Sequence, residues 1–305
     1  MSGGEGPAPA PRLITPRAAE WPHHLDHLGP HARPQHLYVE GRDLDPVTPC
    51  VAVVGTRRPT GAGIEIAERI ARELAEAGMT VVSGLAVGID AAAHRAALTA
   101  GGHTIAVLGC GLDIPYPKRN LPLKDAIRRS GTLVTEHPQG TQPTKAYFPL
   151  RNRIIAGLSG GVVVIEGAIT SGALVTARLA IDCDRSVYAV PGSVRNPMAE
   201  GPNELIRSSQ AMLVTCAKHI FDDLAPSLVW RDSMDGRAKD KPQLTLHEAA
   251  MMRALDDAPL PLDHLCRALD MKPGLVASCL SQLEIRGLVV RTRAGYALSG
   301  RHRAP

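Results

Sequence analysis

The stretch VAVVGTRRPTGAGIEIAERIARELAEAGMTVVSGLAVGID, residues 51–90, decides the fold. Residues 51–54 (VAVV) are an unbroken apolar run, as expected of a strand buried on both faces. A Gly-rich turn follows, and residues 61–77 predict a helix with Ile66, Ile70 and Leu74 on one face. Gly78 suits the end of that helix, because glycine adopts the left-handed backbone of a helix C-terminus without steric cost. Residues 80–82 (TVV) then predict a second strand and residues 88–100 a second helix.

The strand-helix pattern continues outward. Residues 104–109 (TIAVLG), 132–135 (TLVT), 162–166 (VVVIE) and 187–190 (VYAV) predict further strands, with helical stretches between them. Residues 211–215 (AMLVT) suggest an edge strand. Strands alternating with helices imply right-handed crossovers and a parallel sheet. The composition agrees: 44% of residues are hydrophobic but only 3% aromatic, so Val, Ile, Leu and Ala must fill the core. The predicted fold is α/β, an extended Rossmann-like, doubly wound and mostly parallel sheet, within a domain spanning residues 21–225.

On the N-terminal side, residues 1–20 are rich in Pro, Gly and Ala and read as disordered. Residues 21–42 read as an irregular lead-in packed on the main domain. Histidines 23, 24, 27, 31 and 36 fall there or nearby, but no Cys or acidic pattern completes a metal site. On the C-terminal side, residues 226–243 are polar and Pro-bearing and read as a linker. Residues 244–300 suggest three helices followed by a hairpin around Ala294-Gly295, the order of a winged helix.

The six cysteines, at 50, 110, 183, 216, 266 and 279, form no C-x-x-C pair. Scattered thiols suit a reducing compartment. The N-terminus has no signal-peptide core, and no apolar run approaches the roughly 20 residues of a membrane span. A soluble cytoplasmic protein with no membrane partner is expected. The formal charge of +4 permits a polyanionic partner without requiring one.

Ligands of doubly wound sheets bind beyond the carboxyl ends of the strands, and the turns expected there are rich in small residues. They are Gly55-Thr56-Arg57-Arg58, Ser83-Gly84-Leu85-Ala86, Gly109-Cys110-Gly111 and, after Glu166, Thr170-Ser171-Gly172. One such turn needs only its glycines to bend the chain. Four on one edge, carrying hydroxyls and arginines, point to phosphate binding by backbone amides and helix N-termini. The dinucleotide fingerprint fails, because the first turn reads GTRRPTGAG and the second strand ends in Ser83 rather than an acid. A P-loop is absent too, so no cofactor is assigned. No nucleophile, metal cluster or paired carboxylate accompanies Glu166, and no catalytic residue is nominated. Asp90 and His94 read as local structure.

Lys145-Ala-Tyr-Phe148-Pro-Leu-Arg151-Asn152-Arg153 gathers two of the chain's few aromatics with three cations and an amide. Bases stack on aromatic faces while Lys and Arg meet phosphates. The competing reading is a basic helix start with Phe148 in the core.

VVGTRRPT (53–60), SGLAVGIDAAAH (83–94), LGCGLDIPYPKRN (108–120), FPLRNRIIAGLS (148–159) and TSGALVTA (170–177) together resemble the motifs of the DprA/Smf family, in that family's order. The resemblance covers residues 50–215, and the linker and winged helix resemble the family's tail. It implies a non-catalytic, single-stranded-DNA-binding recombination mediator of natural transformation. Such a protein dimerises through its Rossmann-like domain, protects incoming DNA, displaces single-strand-binding protein and loads a RecA-type recombinase. Carried over by motif, the DNA pocket comprises Gly55, Thr56, Arg57, Ser83, Gly84, Lys145, Phe148, Arg151, Asn152, Arg153, Ser171 and Gly172.

Two other readings stay open. One is a nucleotide-processing enzyme of the phosphoribohydrolase (lysine-decarboxylase-like) class. It needs a PGG-x-GT turn, whereas this chain has Glu166-Gly167-Ala168-Ile169-Thr170-Ser171-Gly172. The other is a transcription regulator acting through the winged helix. Residues 244–300 balance six acids with six Lys or Arg, which is poor in charge for reading a duplex.

Overall fold

The structure, a computed structural model, describes residues 10–29, 32–45, 48–225, 245–255, 259–285, 289–292 and 295–298. The chain divides into two compact units at residues 233/234. That division falls inside the stretch expected as a linker, which lies outside the described residues.

The first unit is built on a nine-stranded sheet in the order β1-β2-β6-β5-β4-β3-β7-β8-β9. Strands β3 (Cys50–Val54), β4 (Thr80–Ser83), β5 (Thr104–Leu108), β6 (Thr132–Thr135), β7 (Gly161–Val164), β8 (Ser186–Ala189) and β9 (Met212–Leu213) run parallel. Alternate residues of each strand feed opposite faces. Ala52, Val54, Val162 and Val164 pack under α4 (Tyr147–Leu158) and α5 (Gly172–Ile181). Val51, Val53, Val81 and Val163 pack under α1 (Gly61–Glu76), α2 (Ile89–Thr99) and α7 (Ala217–Leu224). Leu123 and Ile127 of α3 (Leu121–Ser130) cover Ala106, Leu108 and Leu133. Helix α6 (Glu200–Arg207) lies beside β8. Burial on both faces explains why β3 to β8 read as continuous apolar runs.

Two further strands correct the sequence reading. β1 (Arg12–Ile14) lies within the segment expected to be disordered, and β2 (Leu37–Gly41) within the expected irregular lead-in. They add antiparallel strands to the β6 edge, with Tyr38 opposite Thr135 and Arg12 opposite Val39. Trp21 and Leu25 are fully buried, and the Arg12 guanidinium bonds Glu20 and Asp43. Both strands are short and carry a charge, so neither has a strong apolar signature.

The order places β4, β5 and β6 on one side of β3 and β7, β8 and β9 on the other. The direction of winding therefore reverses between β3 and β7, and a crevice opens there beyond the carboxyl ends of the strands. The second unit contains α8 (Leu246–Ala254), α9 (Leu262–Leu269), α10 (Pro273–Ile285) and the antiparallel pair β10 (Val289–Thr292) and β11 (Gly295–Leu298). Met251, Leu265, Val276, Leu280 and Val289 form its core, and Thr245 and Glu248 cap α8 reciprocally. Ala294 of the expected hairpin turn lies outside the described residues.

Candidate nucleic-acid interface

A cavity of about 690 Å³ occupies the crevice at the β3/β7 reversal. The turn after β3 gives it Gly55, Thr56, Arg57 and Arg58. Lys145 and α4 give it Phe148, Arg151 and Asn152, and the start of α5 gives it Ser171 and Gly172. Phe148, Arg151, Asn152 and Ile155 stand at i, i+3, i+4 and i+7, so they share one helix face. Gly84 lines a smaller apolar recess with Leu85, Ala86, Val87, Tyr116 and Pro117, which Arg57, Phe148 and Arg151 also border.

The cations divide into two kinds. Arg57, Arg58 and Lys145 are exposed, and the Arg57 guanidinium carbon sits 5.4 Å from the Phe148 ring centroid. That contact orients a cation and an aromatic face together. Arg151 is buried instead. Its Nη1 donates to the Gly84 carbonyl at 2.8 Å and to the Val107 carbonyl. Burial lowers its pKa to about 10, with Arg57 acting the same way and Asp90 opposing, so it remains charged at neutral pH. A Cβ on residue 84 would lie 2.5 Å from the Arg151 guanidinium, which explains the glycine there. Arg151 is therefore a strut beneath the site rather than an exposed phosphate ligand.

Arg153 does not reach the cavity. Its Nη2 pairs with the Glu136 carboxylate at 2.7 Å. The physical reason is helical geometry: two residues apart on α4 is more than half a turn, so Arg151 and Arg153 face apart. Ser83 is also removed from the rim, being fully buried with its Oγ donating to the Val53 carbonyl at 2.7 Å.

The turns spend many of their amides internally. The Gly84 and Ala86 amides donate to Asp90 at 3.2 and 3.3 Å, the Thr56 amide to the Glu166 carbonyl at 2.7 Å, and the Arg58 amide to Thr56 Oγ1 at 3.2 Å. Burial raises the Asp90 pKa, against the pull of Arg151 and these amides. Gly88, at φ +94°, lets this second turn touch the first, because a Cβ there would meet the Thr56 carbonyl at 2.4 Å. Positive charge at the rim thus comes mainly from side chains, together with the N-terminus of α5, whose first amides have no partner within the helix. Ser171 Oγ is buried there and has no hydrogen-bond partner among the described residues.

Glu166 is committed to structure. It accepts from the Thr60 amide at 2.9 Å, Thr60 Oγ1 at 2.7 Å and Asn196 Nδ2 at 2.9 Å. His94 is fully buried. Thr104 Oγ1 already donates to the Val81 carbonyl, so His94 Nδ1 must donate to it at 2.7 Å. Among the described residues, no group of three or more His, Cys, Asp and Glu could hold a metal ion, and no helix is long and apolar enough to cross a membrane.

Sequence reasoning missed Tyr116. Its ring stacks on Phe148 at 5.6 Å between centroids and 30° between planes, and it lines both cavities. Its only signal was its position in a Pro-flanked loop after β5. Lys124 was missed too: it is buried, and its Nζ clamps the loop that carries Tyr116 through the Leu112 and Ile114 carbonyls, each at 2.7 Å.

Residues 12–225 match the family model described as DNA recombination-mediator protein A, and residues 236–295 match the DprA winged helix domain. The chain is 44% identical over 174 residues to the DNA processing protein DprA of Bacillus subtilis; this match covers 57% of the chain and 58% of that relative. Among solved structures, DNA processing protein A from Streptococcus pneumoniae superposes with a TM-score of 0.66 at 40% identity, covering 70% of this chain and 74% of that one. DNA processing protein A from Helicobacter pylori, whose structure concerns a single-stranded DNA binding mode, superposes with a TM-score of 0.63 at 29% identity, covering 72% of this chain and 98% of that one. With residues 12–225 and 236–295 matched in this way, the chain belongs to the DNA recombination-mediator protein A (DprA/Smf) family.

Proposed function

We propose that this protein is a non-catalytic recombination mediator that holds single-stranded DNA in the crevice between β3 and β7. One observation carries the reading. The cavity sets exposed Arg57, Arg58 and Lys145 around the stacked pair Phe148 and Tyr116, and Asp90, the one acid among its described lining residues, is buried beneath two backbone amides. Unpaired strands call for that combination, cations for the phosphates and a ring for a base. Gly55, Thr56, Asn152, Ser171 and Gly172 form the polar rim, and Gly84 and Arg151 hold it in shape. The single-stranded DNA binding described for the Helicobacter pylori relative supports the same choice.

Family membership supports the wider role. The protein protects incoming DNA during natural transformation, displaces single-strand-binding protein and loads a RecA-type recombinase. That work places it in the cytoplasm. Edge strand β9, with Met212 and Leu213 about half exposed at 47% and 51%, supports a homodimer formed through the Rossmann-like unit. The phosphoribohydrolase alternative is disfavoured by Glu166, whose carboxylate is occupied by Thr60 and Asn196.

Fluorescence anisotropy on a labelled oligothymidine tests the pocket. Arg57→Ala and Lys145→Ala should each weaken binding by roughly tenfold, since each removes a charge-assisted phosphate contact. Each should also flatten the salt dependence by roughly 0.7 in logarithmic slope. Wild-type affinity in both variants contradicts the assignment.

A further inference from the structure

A second cavity, of about 420 Å³, lies where α2 meets α3. Leu98, Pro122, Leu123 and Ala126 give it an apolar floor, and Arg95 and Arg119 stand on it as exposed cations. Among the described residues, no acid lines it. The acid nearest in sequence on α3, Asp125, is paired with Arg128. Neither arginine has an ion-pair partner among the described residues, so their charge is available to a ligand.

The groove is not isolated from the crevice. Residues 116–120 form the wall between the two: Tyr116 and Pro117 line the recess beside Phe148, while Arg119 and Asn120 line the groove. Asn120 fixes that wall, being buried with its Nδ2 donating to the Leu85 carbonyl at 2.9 Å, and Leu85 is itself part of the recess. Exposed Lys118 stands in this wall beside Arg119, and Arg95 on α2 lines the same groove.

We propose that this groove takes the continuation of the single strand. Arg95 and Arg119 bind successive phosphates, and the apolar floor takes a sugar or base edge. This rests on the reading above that the β3/β7 crevice binds the strand, and it adds a second, separable subsite. The chemistry is that of a polynucleotide rather than a mononucleotide. Two exposed cations carried by separate elements of one open groove match a chain of phosphates.

The test compares the full-length protein with Arg95→Ala, Arg119→Ala and the double variant by anisotropy. The probes are oligothymidines of about four and about sixteen nucleotides. The short strand fills the crevice alone, so all variants should bind it as wild type does. On the long strand the double variant should lose roughly tenfold or more and its logarithmic salt slope should fall by roughly 1.4, two phosphates' worth. Arg95→Lys with Arg119→Lys, which keeps both charges, should restore most of that affinity. Wild-type binding of the long strand by the double variant overturns the proposal, including when the same variant has lost capture of an acidic peptide, which would make the groove a protein-docking site. A double variant that the lysine exchange fails to rescue also overturns it, because the loss is then not electrostatic. Failure of the crevice reading looks different: wild type itself would bind neither strand.

Discussion

At the scale of residues, the cations divide by what their charge is spent on. Arg57, Arg58 and Lys145 face solvent, whereas Arg151 and Arg153 hold protein groups. Arg153→Ala should therefore leave the affinity for single strands unchanged. Arg151→Ala should cost stability instead, by about 3 kcal/mol or more, because it leaves two buried carbonyls without this donor and removes the cation whose charge favours ionised Asp90. Paired denaturant titrations and anisotropy separate the two outcomes. A normally stable Arg151→Ala that has lost DNA would make Arg151 a direct ligand. The sequence showed that aromatic and basic residues cluster at 145–153, because composition is visible in a string. It hid which arginine reaches the cavity, because that depends on helix phase. Ser83 misled for a related reason. A serine ending a strand reads as a rim hydroxyl until the Val53 carbonyl is seen within 2.7 Å.

At the scale of elements, buried strands and Gly-ended helices were legible. β3 to β9 fall where apolar runs stand, and α1 begins at Gly61 behind the Thr60 cap. β1 and β2 were not legible, because a short strand whose charges lie in local pairs, as Arg12 does with Glu20, carries little periodic signal. Helix α2 is held to β5 by an element-level contact, His94 to Thr104. Burial lowers the His94 pKa to about 3 from its ordinary 6.5. In the window between those values the unfolded chain takes up a proton that the folded chain refuses. The stability is thus fully present above about pH 6.5 and is lost as the pH falls. At pH 5 this one group should cost about 2 kcal/mol relative to pH 7. Burial also lowers His103, to about 4, with the same sign. Urea midpoints at the two pH values should show the drop, and His94→Gln should reduce it. An undiminished drop in that variant would assign the acid sensitivity elsewhere.

At the scale of the whole molecule, the first unit has its own cores and contains the entire crevice, and the second has a small core of its own. Removing residues 226–305 should therefore leave single-strand binding within roughly threefold of the full chain, by anisotropy. Loss of all DNA binding would instead support a regulator that reads DNA through its winged helix. The central claim is that the crevice at the β3/β7 reversal grips an unpaired polynucleotide rather than a small metabolite. Its most direct measurement is a competition titration. Labelled oligothymidine is bound to the full-length protein, then challenged with unlabelled oligothymidine or with thymidine monophosphate, at salt from about 50 to 200 mM. The account predicts displacement by the oligomer alone, at concentrations that rise steeply with salt. Displacement by the mononucleotide at comparable concentration, or no binding of the labelled strand at low salt, would contradict it.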